Sequence, residues 1–470
     1  MADMSPAAWL ALLDKRLTDR WAAMRPLDDM FEGRHPLAFA TSKWREAFGD
    51  LLATLNDNWC RIVVSASVQR LTVQGFRFGG EQNADKEAWA IWQDNGLDAE
   101  ANLAHTEAVK LGESYWLVAP PDGSGAPRIT SEHPSQMIVA CAAGDRRVRR
   151  AALKRWLDDD GYIYATLYLP TALHKWRSQE KAKNGYMPSQ VNWQRRTDDP
   201  GGANPLGVVP VVPLRNAPTM LRGGQSDFAP GIPIQQAIDK LAQDMMVAAE
   251  FAAYRQRVMT GVEQAKYPEG HAKAGQNVPM EMGISRLVTI EATDGKVFDL
   301  PASDLKNYTQ AIDMLVQHFA AQTQTPPHYL LSSIVNASGE ALVAAESGLV
   351  SKVQDKQLAF GDGHEEAMRL AFRALRDKKR ATAMDAETLW ADAERRSFAQ
   401  VVDGVVKLKD VNVPDEILWE DLGWSPQKVA RAKVMQATSA LFEDGARTDT
   451  GGGAPGPAAP ADAQAPPKAA

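Results

Sequence analysis

The sequence predicts an α+β fold that is predominantly helical. Apolar residues recur at helical spacing near the N-terminus and again beyond residue 230, whereas the stretch after Ser114 consists of short β-branched and aromatic runs separated by turns. The chain has 470 residues, of which 44% are apolar and 24% charged, so it can bury a substantial core in more than one domain. Its net charge of -7 gives no indication of a conventional sequence-reading DNA-binding protein.

The first 230 residues are predicted to form an α+β domain. Ser5 followed by Pro6 is typical of a helix start, and apolar residues from Trp9 onward continue the helical pattern. Further helices are expected at residues 43–57, 59–69, 86–94 and 98–112, before the strand-rich part. The apolar run at residues 206–214 contains two prolines, which exclude a central strand and favour an edge strand or an extended crossover.

Two amphipathic helices are predicted in the second half of the chain. The first begins near residue 231, and the second begins with Ser303 as its N-cap. Their apolar positions follow a 4-3 spacing, which indicates helices packed along each other. The positions predicted to pack are Ile234, Ile238, Leu241 and Met245 in the first helix, and Leu305, Tyr308, Ile312 and Leu315 in the second. An irregular insert with a short β-like segment, residues 262–301, separates the two helices.

The stretch TQTPPHYLLSSIVNAS, residues 323–338, has no lysine, arginine, aspartate or glutamate. It is predicted to be a non-helical loop, and loops of this length in compact domains are usually either functional or disordered. A helix that pauses at the GDG of residues 361–363 is expected to follow it, and then a helical cluster over residues 385–443. The Gly/Pro/Ala-rich tail cannot bury enough apolar surface to order itself.

The sequence contains little that indicates catalysis. It lacks a P-loop, an HExxH motif and a GxSxG motif, and no cofactor or metal is predicted. His364-Glu365-Glu366 and the run of residues 158–160, three aspartates, are the nearest candidates for a metal site, but each is better explained as a surface turn. Arginines at positions 146, 147, 149 and 150 form the densest basic cluster, which could meet phosphate or lie on a solvated face. The chain therefore reads as a scaffold rather than an enzyme, and no membrane span is expected.

The ordered set of segments resembles a known family. The resemblance is carried by FEGRHPL, NWCRIVVSASVQRLTVQGFRF, WAIWQDNGLDAEANLAHTEAVKLGESYWLV, PLGVVPVVPLRN, GQSDFAPGIPIQQAIDKLAQDMMVAAEFAAYRQRVMTG and NASGEALVAAESGLVSKVQDKQLAFGDGHEEAMRLA. Together they span about residues 25–435. This order is similar to that of the portal protein, or head–tail connector, of long-tailed double-stranded DNA phages, particularly those that infect actinobacteria.

The resemblance implies a portal fold with wing, stem, clip and crown regions around a DNA channel. Its regions would be an α+β wing (1–230), a stem helix (231–256), the clip (257–301), a second stem helix (302–322), the tunnel loop (323–338), a long wing helix (339–380), a helical crown (381–445) and a disordered tail (446–470). The tunnel loop would place Tyr329, Leu330, Ser332, Ser333 and Asn336 at the DNA channel.

The resemblance also implies partners and location. The chain would form a dodecameric ring at one capsid vertex of the virion and would be assembled in the host cytoplasm. It would pass double-stranded DNA without sequence specificity during packaging and ejection, dock the terminase motor and then head–tail adaptor proteins, and contact the major capsid and scaffolding proteins. Two alternatives are a channel-less helical scaffold or minor capsid protein, and a metal-dependent nuclease.

Overall fold

The computed structural model describes residues 4–36, 39, 41–42, 45–46, 55–81, 83–122, 125–182, 187–188, 190–221, 223–253, 257–260, 266–276, 288–290, 297–299, 304–330, 339–394 and 398–448. The chain divides into two compact units, Met1–Glu394 and Arg395–Ala470. Within the described ranges, no helix has both the length and the apolar character needed to cross a membrane.

The first unit opens with the predicted helix. Ser5 accepts a hydrogen bond from the backbone of Ala8, and Pro6 occupies the first turn, so the predicted start is confirmed. The helices before the strand-rich part are α1 (Pro6–Phe31), α2 (Trp59–Val68), α3 (Lys86–Asp94) and α4 (Leu97–Leu111). The helix predicted at residues 43–57 falls mostly outside the described residues, and residues 55–57 are not helical.

The strand-rich part contains two antiparallel sheets. Strand β1 (Val73–Arg77) precedes this part and belongs to neither sheet. The strands of the two sheets are β2 (Glu113–Ala119), β3 (Arg128–Glu132), β4 (Met137–Ala142), β5 (Asp145–Leu157), β6 (Ile163–Tyr168), β7 (Ala172–Ser178), β8 (Trp193–Arg195), β9 (Gly201–Ala203) and β10 (Val211–Arg215). One sheet has the order β4-β5-β6-β7-β8 with β9 paired to β7, and α1 packs on it through Leu13 and Leu17. The other has the order β10-β2-β3, so the proline-containing run forms an edge strand, as predicted.

The two predicted stem helices contact each other. They are α5 (Ile232–Ala253), which follows a short 3-10 turn, and α6 (Lys306–Thr323). Ile238, Val316 and Phe319 belong to the main core, and Ile234, Ile312 and Leu315 pack against it. Leu241, Met245, Leu305 and Tyr308 are half-buried. The start predicted at Ser303 is wrong, because Leu305 occupies the N-cap position and Asp304 accepts a hydrogen bond from the backbone of Lys306.

The insert between the stem helices contains a small mixed sheet. Strands β11 (Arg257–Thr260), β12 (Val288–Ile290) and β13 (Val297–Asp299) are ordered β12-β11-β13, and the first pair is parallel while the second is antiparallel. The β-like segment predicted in this insert corresponds to β12. Most of the remaining insert lies outside the described residues.

A single-turn helix, α7 (Pro327–Leu330), and the 36-residue helix α8 (Gly339–Ala374) follow the stem. The pause predicted at residues 361–363 is wrong, since α8 runs through it without a break. A Cβ atom on Gly363 would lie 2.4 Å from Leu214 Cδ2, so this glycine lets the helix approach β10 closely. Glycine thus serves packing here and does not end the helix.

The predicted crown begins too early. After the short helix α9 (Lys378–Ala381), residues Glu387–Trp390 form strand β14, which pairs with β1 and places Phe76 opposite Thr388. This pairing assigns the strand to the first unit, and the second unit begins at Arg395. Backbone pairing between positions more than 300 residues apart cannot be read from local periodicity.

In its described residues the second unit is helical, which agrees with the helical pattern of that part of the sequence. It contains α10 (Phe398–Asp410), α11 (Asp415–Asp421) and α12 (Pro426–Thr448). Leu418 and Val429 are buried between these helices, and the rings of Trp419 and Trp424 stack 5.9 Å apart. Ser425 caps α12 through its side chain, which confirms the predicted Ser-Pro start. The tail predicted to be disordered lies outside the described residues beyond position 448.

Candidate functional site

The candidate site is the uncharged loop of residues 323–338 and the side chains that hold its two ends. The structure describes this segment as far as Leu330, and α8 follows from Gly339. The prediction of a non-helical loop is wrong for part of it, because Thr323 still belongs to α6 and Pro327–Leu330 form α7. Ser332, Ser333 and Asn336 therefore lie outside the described residues. Leu330 is only 4% exposed and belongs to the main core, which contradicts its predicted contact with DNA. Its apolar side chain is satisfied within the subunit by neighbouring helices.

Arg70 ties the two ends of the loop together. Its guanidinium, 2% exposed as a side chain, donates to the Tyr329 hydroxyl at 2.9 Å and to Glu346 Oε2 at 2.9 Å. A further bond runs from Arg70 to the carbonyl of Ala393 at 2.8 Å. Tyr329 precedes residues 331–338 and Glu346 follows them, so one buried cation joins both flanks to the end of α2. We call Arg70, Tyr329 and Glu346 the loop anchor.

The electrostatics of the loop anchor are balanced. Burial disfavours the charged form of Glu346, but the hydrogen bond and the charge of Arg70, together with His328, outweigh burial and lower the pKa of this carboxyl. His328 Nε2 lies 3.4 Å from the same carboxylate. Truncating Arg70 would remove the arginine from the half-buried Glu346 carboxylate and the donor from the Tyr329 hydroxyl, and such losses cost about 1–3 kcal/mol. The arrangement fixes where the loop leaves and re-enters the core.

A second buried network joins the stem to the long helix. Lys352 donates to the carbonyl of Thr323, the last residue of α6, at 2.7 Å, and it also lies 2.8 Å from Asp227. Lys356 bonds to Asp227 and to Asn216 Oδ1 at 2.7 and 2.6 Å. Although burial alone would raise the pKa of Asp227, the charges of the two lysines lower it. The network connects the stem, the long helix and the segment that leads into α5.

A buried histidine pair, which no local motif in the sequence indicates, lies deeper in the core. Nε2 of His105 on α4 and Nε2 of His364 on α8 are 2.9 Å apart, and Trp116 Nε1 donates to His364 Nδ1 at 3.2 Å. His364 must then carry its proton on Nε2 and donate it to His105. Burial lowers the pKa of His105 to about 3, although the Leu71 backbone opposes the shift, and burial lowers that of His364 well below its usual range.

These contacts argue against the metal-dependent nuclease. His364 is enclosed by aromatic rings, Glu365 accepts from the backbone of Thr388, and Glu366 forms an ion pair with Arg149 at 2.5 Å, so the three side chains do not converge. Asp158 caps its own turn by accepting from the backbone of Tyr162 at 2.7 Å, as the turn interpretation predicted. In the described part of the chain, no group of three or more histidine, cysteine and acidic residues could hold a metal ion.

The arrangement defines a class of protein. Paired helices flank a small insert, buried charge networks hold an uncharged loop, and a 36-residue helix follows. This is the organisation that the resemblance to phage portal proteins implies. The chain matches the model of the family described as "Phage portal protein, SPP1 Gp6-like" over residues 29–439. It belongs to this portal family.

Individual relatives agree with this assignment. The chain is 33% identical to the portal protein of Mycobacterium phage D29 over 78% of this chain and 75% of the relative. It is 31% identical to the portal protein of Mycobacterium phage L5 over 91% of this chain and 88% of the relative. A chain in the solved virion of a native gene transfer agent particle is 10% identical, with a TM-score of 0.41 over 77% of this chain and 88% of that chain.

The protein is thus a structural component of a phage particle, and portal proteins form an oligomeric ring at a capsid vertex. The fold class predicted from the sequence, α+β with a predominance of helix, is confirmed, as is the resemblance to portal proteins.

Proposed function

We propose that twelve copies of the chain form a ring through which double-stranded DNA passes during packaging and ejection, and that the loop of residues 323–338 faces this channel. The ring would dock a terminase motor and later head–tail adaptors, with the insert of residues 257–301 as their contact. It would also contact major capsid and scaffolding proteins, after assembly in the host cytoplasm. The observation that carries the proposal is the family match over residues 29–439.

The composition of the loop supports a sliding contact. Duplex DNA carries one negative charge per about 1.7 Å, and proteins that neutralise many phosphates with lysine or arginine bind tightly and in a salt-sensitive way. A collar with cations on every subunit would retain DNA, whereas serine and asparagine side chains offer steric and neutral hydrogen-bond contacts to any sequence. Ser332, Ser333 and Asn336 remain the proposed channel residues, together with the partly exposed Tyr329.

The loop anchor supports the same proposal at the loop's base. A segment that meets moving DNA must be held where it joins the subunit, and Arg70 fixes both flanks through bonds of 2.9 Å. The buried Leu330 adds an apolar contact at the same place. The two ends of the loop are thereby held in position on the subunit.

Replacing Ser332 and Ser333 together with lysine tests the DNA-facing role. We expect slower genome packaging or ejection with an unchanged yield of rings, because each subunit would then bind phosphates electrostatically. The measurement is the rate of DNA translocation into proheads that carry the variant. The matched control replaces the same two serines with alanine, which keeps the loop neutral and should leave the rate near that of the wild type. Normal packaging by the lysine variant would refute a DNA-facing loop.

A further inference from the structure

Six arginines from three separate elements converge on one cleft of about 720 Å³. They are Arg146, Arg147 and Arg149 from β5, Arg215 from β10, and Arg369 and Arg373 from α8. We call this the arginine cleft. Only the β5 members were evident as a basic cluster in the sequence, and Arg150, their neighbour, lies over the ring of Trp9 instead. The fold therefore concentrates positive charge that the linear sequence disperses.

The charge of the arginine cleft is incompletely neutralised. Three carboxylates line it, Asp362, Glu365 and Glu366, against six guanidinium groups. Arg149 forms an ion pair with Glu366, and its side chain is only 9% exposed. The buried Nε of Arg149 nevertheless has no hydrogen-bond partner. In the described part of the chain, Arg147, Arg215 and Arg373 form no ion pair and no side-chain hydrogen bond. Several donors thus remain available for an anionic ligand.

Exposed apolar side chains border the same cleft. Met384 lines it and is 83% exposed. Arg146 donates to the carbonyl of Thr219 at 2.9 Å and so holds the adjoining loop, where Met220 and Leu221 are 93% and 98% exposed. Large apolar side chains with such exposure, next to a charged cleft, are typical of an interaction surface. Arginine and methionine are both enriched at protein–protein interfaces.

We propose that the arginine cleft and its apolar rim bind an acidic, amphipathic peptide segment of another protein. Glutamate and aspartate carboxylates match the planar fork of arginine in bidentate pairs, and apolar side chains of the segment would cover the exposed Met220, Leu221 and Met384. Nucleic acid fits less well, because the three carboxylates repel phosphate and the apolar rim offers it nothing. This site goes beyond the proposed DNA channel and does not depend on it.

The test uses the full chain and a short fluorescein-labelled peptide of alternating glutamate and leucine pairs. We expect saturable binding by fluorescence anisotropy that weakens as salt is raised. The double substitution Arg147→Glu and Arg373→Glu should weaken binding about tenfold or more, since it replaces attraction with repulsion on two of the elements that line the cleft, β5 and α8. Met220→Ser with Leu221→Ser should weaken it about threefold to tenfold while the salt dependence is retained.

A matched control distinguishes an effect of the arginine cleft itself from an effect of the change in net charge. Lys15→Glu with Arg16→Glu makes the same change in net charge on exposed positions of α1 and should leave the affinity unchanged. Equal weakening by this control would overturn the proposal. So would tighter binding of a short DNA duplex than of the peptide, or equal binding of polyglutamate and the peptide. The proposal would also be overturned if assembled rings failed to bind the peptide and the Arg147/Arg373 variant failed to form rings. The cleft would then be a contact with a neighbouring copy of the chain.

Discussion

The buried histidine pair makes the folded state sensitive to acid at the scale of single residues. Both rings are held neutral, with the pKa of His105 at about 3 and that of His364 also far below its usual range. In the unfolded chain each histidine has a pKa near 6.5, so the unfolded state binds protons that the folded state excludes. Stability contributed by this difference is present above about pH 6.5 and is lost as the pH falls below it.

We therefore expect the free energy of unfolding to fall below about pH 6.5 by about 1.4 kcal/mol per pH unit for each of the two histidines. Chemical denaturation between about pH 7.5 and about pH 5, where few carboxylates titrate, measures how the free energy of unfolding changes with pH. His105→Gln keeps an acceptor for His364 but does not titrate, so its slope should be smaller by one histidine. A wild-type slope near zero below pH 6.5 would show that the pair is protonated in the fold.

Gly363 allows a second prediction about a single residue. A Cβ atom there would lie 2.4 Å from Cδ2 of Leu214, which is fully buried and cannot move without displacing its neighbours. Gly363→Ala should destabilise the protein by about 1–3 kcal/mol through overpacking. Gly348→Ala, on an open face of the same helix, should instead stabilise it by about 0.5–1 kcal/mol through helix propensity. Thermal unfolding of both variants measures these changes in stability. Equal changes in the two variants would contradict the packing role of Gly363.

At the scale of elements, the stem depends on the contact between α5 and α6. Leu315 packs against the main core, whereas its neighbour Met314 is 51% exposed. Leu315→Asp should lower the free energy of unfolding by about 2 kcal/mol or more, because it places a charge against apolar side chains. Met314→Asp, the matched control, should change it by less than about 0.5 kcal/mol. Leu241→Asp tests the partner helix in the same way.

Urea denaturation gives these values, and electron microscopy of the same samples shows whether rings still form. We expect rings to be lost or reduced in yield for Leu315→Asp. Rings in unchanged yield, together with unchanged stability, would reject the packing predicted from the 4-3 apolar spacing.

Elements with strong local signals could be predicted from the sequence. Ser5 and Pro6 mark the start of α1, and prolines in the run before Arg215 place β10 at a sheet edge. The errors arose where a tertiary contact overrides a local signal. Gly363 resembles a helix break but serves close packing against Leu214, and Glu387–Trp390 lies in a helix-rich region but pairs with β1.

Sites built across long separations could not be predicted in the same way. His105 and His364 are 259 residues apart in the chain, as are Arg70 and Tyr329. Neither pair has a local motif, because its members meet only when helices distant in sequence pack together. The arginine cleft combines one visible cluster with single arginines from β10 and α8. By contrast, the absence of charged residues from the loop is a property of one continuous segment, so it can be read directly from the sequence.

At the scale of the whole molecule, a ring repeats each local feature once per subunit. In the proposed channel, a neutral loop in each chain would form a neutral collar, and two lysines added per chain would form a continuous band of charge. Rotational symmetry also repeats the arginine cleft around the ring, so weak binding of one acidic segment at each cleft would be reinforced by linked copies of the partner. If the loop lines the proposed channel, small changes in it are expected to have large effects on the movement of DNA.

The most direct test of a DNA channel lined by neutral side chains is electron cryomicroscopy of the assembled protein. We expect a closed ring whose central opening admits a DNA duplex and whose narrowest part is formed by residues 323–338 with no lysine or arginine facing inward. A particle without such an opening, as a channel-less scaffold would give, or a collar lined by cationic side chains, would contradict the account.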